Sequence, residues 1–229
     1  EASLLASFAR GVLPDLAPCT RARIRVLAPS PREAPDSSLS HMFGVVLHEL
    51  GDTASGFDVH GGALRPDALV AALEQAAADA VAVTLCGTAF AFVHLLDAFA
   101  ERGVRVPLPP GSRVMETGGF KGRARQMPRD ALYQGVEQAL AVAPERIVNQ
   151  YGMTELGSQF YDSVLCDPGG GRRKLAPPWT RVRPVATETG ERVRRADAGL
   201  HDTGDLLEQP VAGLVSARVV DDLELVEVE

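Results

Sequence analysis

A run of seven residues near the middle of the chain carries the chemical groups that a nucleotide site needs. Residues 149–155 read Asn-Gln-Tyr-Gly-Met-Thr-Glu and follow an apolar pair, which is typical of a buried strand that ends at a ligand. Tyr151 can stack on a base, and Gly152 lets the backbone come close to a bound group. Thr154 can donate a hydrogen bond to a phosphate oxygen, and Glu155 can hold a hard cation.

A purely structural interpretation of the same run is also open. The strand could simply lead into a turn, with Thr154 capping the next segment and Glu155 in water. Because short motifs also match by chance, the residues on either side of the run must decide between the two interpretations.

Those flanking residues point to one family. Residues 117–122 read Thr-Gly-Gly-Phe-Lys-Gly, a helix-like stretch follows, and residues 145–148 lead into the tyrosine motif as Glu-Arg-Ile-Val. Together these segments resemble the LuxE-type acyl-protein synthetase branch of the adenylate-forming (acyl-activating) superfamily. The resemblance is clearest over residues 112–163 and looser over residues 40–205. It implies an α/β fold, the large N-terminal-type domain of an adenylate-forming enzyme, with layered sheets and helices and a small β subregion.

The resemblance also implies an activity and a set of roles. In such enzymes a carboxylate attacks the α-phosphate of ATP to give an acyl-adenylate, and acyl-protein synthetases then pass the acyl group to a protein thiol. By resemblance, Tyr151 would stack on adenine, Thr154 would bind the α-phosphate and Glu155 would hold Mg2+. Thr154 and Glu155 would therefore be the catalytic residues. The same comparison assigns further nucleotide contacts to Gly118, Gly119, Gly152, Met153 and Asp205.

Asp205 lies in a second motif, at residues 201–205, which read His-Asp-Thr-Gly-Asp. This run resembles the Thr-Gly-Asp motif of adenylating enzymes, whose aspartate accepts hydrogen bonds from both ribose hydroxyls. A carboxylate suits that task because its two oxygens face two donors. On its own, a Thr-Gly-Asp run is usually only a loop.

The acid substrate is expected to bind near two further segments. His41, in the run Ser-His-Met-Phe-Gly, resembles the histidine of a strand-loop that lines the acyl site in many relatives. Gly87, Thr88 and Phe90 could form another wall of that pocket, and Phe120 borders it by resemblance. The alternatives are a half-buried structural histidine in the first segment and ordinary core packing in the second.

Charge and composition limit what the chain can bind and where it works. The formal net charge is −7, which argues against a general nucleic-acid binder, and 45% of the residues are hydrophobic, as in ordinary globular proteins. Three cysteines are too few for a disulfide framework or a zinc cluster, so a reducing cytoplasm is the expected compartment. No apolar stretch approaches the roughly 20 residues that span a bilayer. The basic clusters at residues 21–25 and 172–174 are expected to be solvated faces.

Three parts of an adenylate-forming enzyme are not found in the sequence. It contains no Ser/Thr/Gly-rich loop for the β- and γ-phosphates, no lysine after Lys174 and no cysteine after Cys166. Backbone amides and hydroxyls of such a loop replace the water around phosphates, and a lysine stabilises the charge that develops during adenylation. We therefore expect a missing start before Glu1 and a lysine-bearing C-terminal domain that is absent from the chain.

Helix and strand signals alternate along most of the chain. Apolar spacing predicts helices at residues 4–12, 66–80, 92–103 and 128–141, and apolar runs predict strands at residues 24–27, 81–85, 113–116 and 147–148. This alternation argues for a layered α/β domain with a largely parallel sheet. From Trp179 onward, short charge-rich strands replace helices. We predict an adenylation core at residues 1–178 and a β-rich subregion, leading to a hinge, at residues 179–229.

The primary hypothesis is therefore ATP-dependent activation of a carboxylic acid, of fatty or otherwise apolar type, followed by transfer to a protein thiol. Two alternatives stay open. The acyl group could pass to coenzyme A or a carrier protein, as in acyl- and aryl-CoA ligases. The chain could also be a catalytically silent module that binds a nucleotide or an acyl group.

Overall fold

A mixed sheet of eight strands organises the fold. The computed structural model describes residues 1–118, 127–152 and 157–180, together with the backbone of residues 182–183 and 227–228. The strands of the sheet are β1 Arg23–Pro29, β2 Gly56–His60, β3 Ala63–Leu64, β4 Val83–Thr88, β5 Arg113–Thr117, β6 Ile147–Tyr151, β7 Phe160–Asp162 and β8 Lys174–Leu175. Their order across the sheet is β3-β2-β1-β4-β5-β6-β7-β8.

The five inner strands are parallel, and the edges are antiparallel. β2, β1, β4, β5 and β6 pair in parallel, whereas β3, β7 and β8 run against their neighbours. Strands buried on both faces read as continuous apolar runs, which is how four of them were recognised in the sequence. These four predictions are confirmed, although β4 begins at Val83 rather than at residue 81.

Among the described residues, five α-helices pack on the sheet, and all except the first connect two strands. They are α1 Ala2–Val12, α2 Ser38–Leu50, α3 Pro66–Ala78, α4 Ala89–Arg102 and α5 Arg129–Leu140. Pro66 occupies the first position of α3, where a missing N–H costs nothing. Gly103 ends α4 with a φ of 61°, in the left-handed region that glycine tolerates best. The four helices predicted from apolar spacing are confirmed, and α2 is an addition.

The segment around His41 is a helix, so the strand-loop expected there is wrong. Ser37 caps α2 by accepting a hydrogen bond from the backbone N–H of Ser40 at 3.1 Å. Met42, Phe43 and Val46 then bury their side chains at helical spacing. A capping serine and this spacing both favour a helix over an extended segment.

The helices cover the two faces of the sheet with two separate apolar cores. Phe92, Leu95 and Leu132 belong to the core that α3, α4 and α5 form on one face. Phe8 and Phe43 belong to the core that α1 and α2 form on the other face. Consecutive residues of an inner strand divide between the two cores because strand side chains alternate in direction. The pairs that do so are Leu85 and Cys86, Val114 and Met115, and Ile147 and Val148.

Both basic clusters that were predicted to be solvated are partly buried, so that prediction is wrong. Arg23 and Arg25 on β1 pair with Asp52 and Asp58. Lys174 is only 6% exposed. In each case the partner acid lies far along the chain or on a neighbouring strand, and charge patterning within a short run does not reveal it.

A buried arginine joins the end of α1 to the start of β5. Arg113 donates to the backbone carbonyl of Val12 at 3.0 Å and to both carboxylate oxygens of Asp15 at 2.5 and 2.8 Å. The hydrogen bond from Arg113 is the main reason that the pKa of Asp15 lies below its usual range. This contact bridges 98 positions of the sequence.

Backbone pairing also occurs beyond the main sheet. β9 Val182–Arg183 and β10 Glu227–Val228 form an antiparallel pair. The predicted division into an adenylation core at residues 1–178 and a β-rich subregion at residues 179–229 stays a prediction, because most of the second part lies outside the described residues. None of the helices in the described ranges is long and apolar enough to cross a membrane.

Gly11→Ala is expected to destabilise the fold by about 1–3 kcal/mol, as overpacked sites typically do. A Cβ at this position of α1 would lie 2.5 Å from the Cβ of Tyr161, which cannot rotate away. Urea unfolding measures the effect. Gly169→Ala is the control, because a Cβ there meets no atom within 4 Å. Equal stabilities of the two variants would contradict the packing of α1 against β7.

Candidate functional site

Four neighbouring parallel strands have their carboxyl ends side by side at one end of the sheet. β1, β4, β5 and β6 are neighbours in that order, and their last residues are Pro29, Thr88, Thr117 and Tyr151. The chain leaves β1 toward β2 and leaves β4 toward β5, so the connections diverge between β1 and β4. In open α/β sheets, such a divergence opens a crevice at the carboxyl ends of the strands, where ligands bind.

A cavity of about 740 Å3 occupies this crevice. Its walls are the end of β1, the first turn of α2, the β2–β3 turn and the exposed side of α4. Most of the lining is apolar, including Ala28, Leu39, Phe90 and Ala91. The size and the apolar lining are those of a small-molecule site.

Two of the residues predicted for the acid site line this cavity. Thr88 accepts a hydrogen bond from the backbone N–H of Ala91 at 3.1 Å and so caps α4 as well as facing the cavity. The ring of Phe90 meets the ring of His94 edge-on, with 4.3 Å between the centroids. The start of α4 therefore supplies one apolar wall with a single hydroxyl at its end.

The other two described residues predicted for the acid site, Gly87 and His41, are not in the cavity lining. Gly87 pairs with Leu27 of β1, and a Cβ there would lie 2.8 Å from the Cβ of Leu27. Its lack of a side chain thus serves strand packing. His41 is exposed on α2. Contacts of these two residues with a substrate stay predictions.

Ser40 is a cavity residue that the sequence patterns did not single out. It is 1% exposed, and within the described ranges its hydroxyl is the buried side-chain group that lacks a hydrogen-bond partner. Leaving a buried hydroxyl unpaired costs about 1–3 kcal/mol. The only sequence signal was a serine beside the histidine of the Ser-His-Met run, and serines are too common on helices for that to be informative.

Gly118 and Gly152 follow directly on the adjacent strands β5 and β6. A Cβ at Gly152 would lie 2.6 Å from the side-chain nitrogen of Gln150. A Cβ at Gly118 would lie 3.8 Å from Nδ2 of Asn149, which is ordinary contact. The close contact at Gly152 is with the end of a flexible side chain, so backbone packing does not require glycine at either position.

Tyr151, the last residue of β6, is half-buried. Its ring packs against Phe160 of β7, with 6.3 Å between the centroids. Six other residues of the predicted site lie outside the described residues, so their roles stay predictions. They are Gly119, Phe120, Met153, Thr154, Glu155 and Asp205.

Buried polar side chains lie near the ends of β5 and β6, shortly before Gly118 and Gly152. Sequence patterns did not predict these side chains. Glu116 on β5 is 3% exposed and accepts hydrogen bonds from the Tyr133 hydroxyl at 3.0 Å and from Nδ2 of Asn149 at 2.7 Å. Burial raises the pKa of Glu116, although these two bonds and the charges of Lys174 and Arg129 act in the opposite direction. The Asn149 side chain thus bridges β5 and β6.

Lys174 on β8 extends this network from the other side. Its Nζ donates to the backbone carbonyl of Asn149 at 2.7 Å and to the Asn149 side-chain oxygen, and it lies 2.9 Å from Oδ1 of Asp162. Oδ2 of Asp162 accepts from the backbone N–H of Asn149 at 3.1 Å and from Arg172 at 2.6 Å. Burial lowers the pKa of Lys174, against the effect of Asp162. Two acids, Glu116 and Asp162, face two bases.

No three His, Cys, Asp or Glu side chains converge on a possible metal position in the described part of the chain. The predicted Mg2+ ligand, Glu155, is outside that part.

The fold is similar to that of part of several solved enzyme structures. At the level of sequence, no protein-family profile and no curated protein matches the chain.

Two solved structures illustrate the similarity. ATP-bound MatB from Rhodopseudomonas palustris gives a TM-score of 0.50 at 17% identity, over 85% of this chain and 34% of that one. A mutant form of coronafacic acid ligase from Pectobacterium brasiliense gives a TM-score of 0.50 at 15% identity, over 82% and 33%. At such identities the likeness is one of fold. The chain spans about a third of the length of these structures.

Glu116→Gln is expected to gain stability relative to the wild type as the pH rises. Burial raises the pKa of Glu116 in the folded state, so the folded protein holds this proton longer than the unfolded chain does. Ionising Glu116 then costs stability from the ordinary carboxyl pKa of 4.5 up to the raised value. The stability difference should grow by up to about 1.4 kcal/mol per pH unit in that window.

Urea unfolding between pH 4 and pH 8 measures this difference. Glutamine keeps an oxygen that can accept from Tyr133 and Asn149, so the folded geometry is preserved. Glu137→Gln, on the exposed side of α5, is the control. A stability difference between Glu116→Gln and wild type that is constant with pH would contradict the burial effect.

Proposed function

We propose that this chain forms the nucleotide- and acid-binding part of an enzyme that activates a carboxylic acid with ATP. One observation carries the proposal: the β1–β4 cavity lies at the same end of the sheet as the carboxyl ends of β5 and β6. Neighbouring strands lie about 4.8 Å apart, so the end of β6 is about 10 Å from the end of β4. An acid in the cavity can therefore meet a nucleotide held at Gly118 and at the tyrosine motif.

The proposed reaction is an in-line displacement at phosphorus. A carboxylate oxygen of the acid attacks the α-phosphorus of ATP, the bond to the bridging oxygen of the β-phosphate breaks, and pyrophosphate leaves. Tyr151 stacks on adenine, Thr154 binds the α-phosphate and Asp205 binds the ribose. Both reactants are anions, so positioning and charge neutralisation supply most of the catalysis. Glu155 would hold a Mg2+ ion, which would supply part of that neutralisation.

The lining of the cavity favours an acid with an apolar tail. Ala28, Leu39, Phe90 and Ala91 offer aliphatic and aromatic surface, and each buried CH2 of a ligand contributes about 0.8 kcal/mol. Thr88, at the start of α4, gives the acid a hydroxyl that can donate a hydrogen bond in the same wall. A fatty or similarly apolar acid fits this combination best.

The proposed acyl acceptor is a protein thiol. Cys86 cannot serve, because it is fully buried and burial raises its pKa, which keeps the thiol protonated and out of reach. Cys19 and Cys166 are exposed. Coenzyme A and a carrier protein offer the same nucleophile, so mass spectrometry of reactions with each acceptor in turn distinguishes the three.

The decisive test is carboxylate-dependent exchange of labelled pyrophosphate into ATP by the purified full-length protein. Exchange is expected with apolar acids and not without an acid. No exchange with any acid of a broad panel, by protein that is shown to be folded, would refute the proposed activity. ATP binding without any exchange would instead favour the silent module.

Ala98→Phe is expected to raise the KM for the acid about tenfold, which is typical of a steric change in an apolar pocket. Ala98 lines the cavity from α4, so a phenyl group there removes space from the acid. The KM for ATP should stay within about twofold of the wild-type value, since the proposed nucleotide contacts are at the ends of β5 and β6 and not on α4. Ala100→Phe, exposed on the same helix and outside the lining, is the control. Equal acid KM values in both variants would place the acid elsewhere.

A further inference from the structure

Lys174 is a buried charge with no part in the chemistry proposed above. It lies on the edge strand β8, two strands away from the nucleotide turn after β6, and its side chain is 7% exposed. If it only filled space, apolar residues of similar volume would serve as well or better.

The three protons of its ammonium group match three acceptors. They are the backbone carbonyl and the side-chain oxygen of Asn149, and Oδ1 of Asp162. Two of the three acceptors belong to one residue, which lies two positions before Tyr151. Lys174 therefore fixes both the backbone and the side-chain rotamer of Asn149.

Asn149 in turn holds two strands together. Its Nδ2 donates to Glu116, two positions before Gly118, and its backbone N–H donates to Asp162. Every polar group of Asn149 is thus bonded to a buried charged side chain. Together with the backbone pairing of β5 with β6, these bonds hold Gly118, after β5, in register with Tyr151 and Gly152 at the end of β6.

We infer that Lys174 is a positioning residue for the nucleotide site, which through Asn149 reinforces the register of Gly118 with Tyr151 and Gly152. The inference rests on the proposed function, because it is the nucleotide that needs both turns at once. The cavity between β1 and β4 does not depend on this network.

The test separates positioning from charge balance with two variants. Lys174→Met alone leaves two buried acids, Glu116 and Asp162, against Arg172. Lys174→Met combined with Asp162→Asn leaves one acid against one base, so the buried charge is balanced again. Arg173→Met is the matched control, because its neighbouring ion pair with Asp167 lies at the surface.

Thermal unfolding, ATP affinity by calorimetry and backbone hydrogen exchange are measured on each full-length protein. The single variant should melt below wild type and bind ATP at least about tenfold more weakly, as misplaced binding groups do. The double variant should recover thermal stability but keep the weak ATP affinity. Amides of residues 113–118 and 147–152 should exchange faster in both variants, whereas those of β1 should not change. If the single variant does not fold, the double variant carries the test.

Recovery of both stability and ATP affinity in the double variant would overturn the inference, because Lys174 would then only balance charge. Unchanged ATP affinity in both variants would overturn it as well. In either case, a wild-type protein that binds ATP and exchanges pyrophosphate would leave the proposed function intact. A wild-type protein that binds no ATP would overturn the proposed function and this inference together.

Discussion

Parallel pairing of the five inner strands is the constraint on which the rest of the structure depends. Parallel neighbours can be joined only by crossover connections, and here those connections include helices on both faces. Most buried positions on β4, β5 and β6 are then apolar, which leaves few places for polar groups there, whereas β1 and β2 carry the ion pair between Arg25 and Asp58. The carboxyl ends of four strands lie at the same end of the sheet. The cavity, Gly118 and Gly152 are all found there. The antiparallel strands β3, β7 and β8 complete the two sides of the sheet.

The polar exceptions inside this sheet are consequently informative. Glu116, Asn149 and Lys174 are buried on three different strands, and each carries a group that is costly to remove from water. They tolerate burial because each is bonded to another member of the same network, with acids and bases in equal number. The antiparallel strands β7 and β8 make this pairing possible. They bring Arg172 and Lys174 within reach of Asn149 and Asp162 on β6 and β7.

Sequence patterns predicted the elements whose signals are local. Pro66 and Gly103 mark helix ends through their own backbone restrictions, and apolar runs marked the buried strands. The helix α2 was not predicted, because the resemblance at His41 indicated a strand-loop there. The capping serine, Ser37, is the local signal that favours the helix. The prediction that Lys174 is solvated is wrong because its partners, Asn149 and Asp162, come close to it only through the order of the strands. Of the candidate site, Thr88 and Phe90 were found as cavity residues, while Ser40 and the network at Glu116 depend on contacts between distant segments.

The ion pair between Asp15 and Arg113 has a consequence for how the chain reaches this fold. Ribosomes add about 5–20 residues per second, so Asp15 waits roughly 5–20 s before its partner, 98 positions later, is synthesised. Until then α1 cannot form its contact with Arg113 of β5, and the sheet that covers its apolar side is incomplete. Contacts of such long range slow folding and lengthen the time that sticky surface is open to other molecules. The nascent chain is therefore most exposed to aggregation, and most in need of chaperones, before both β5 and β7, the strands that α1 contacts, have emerged.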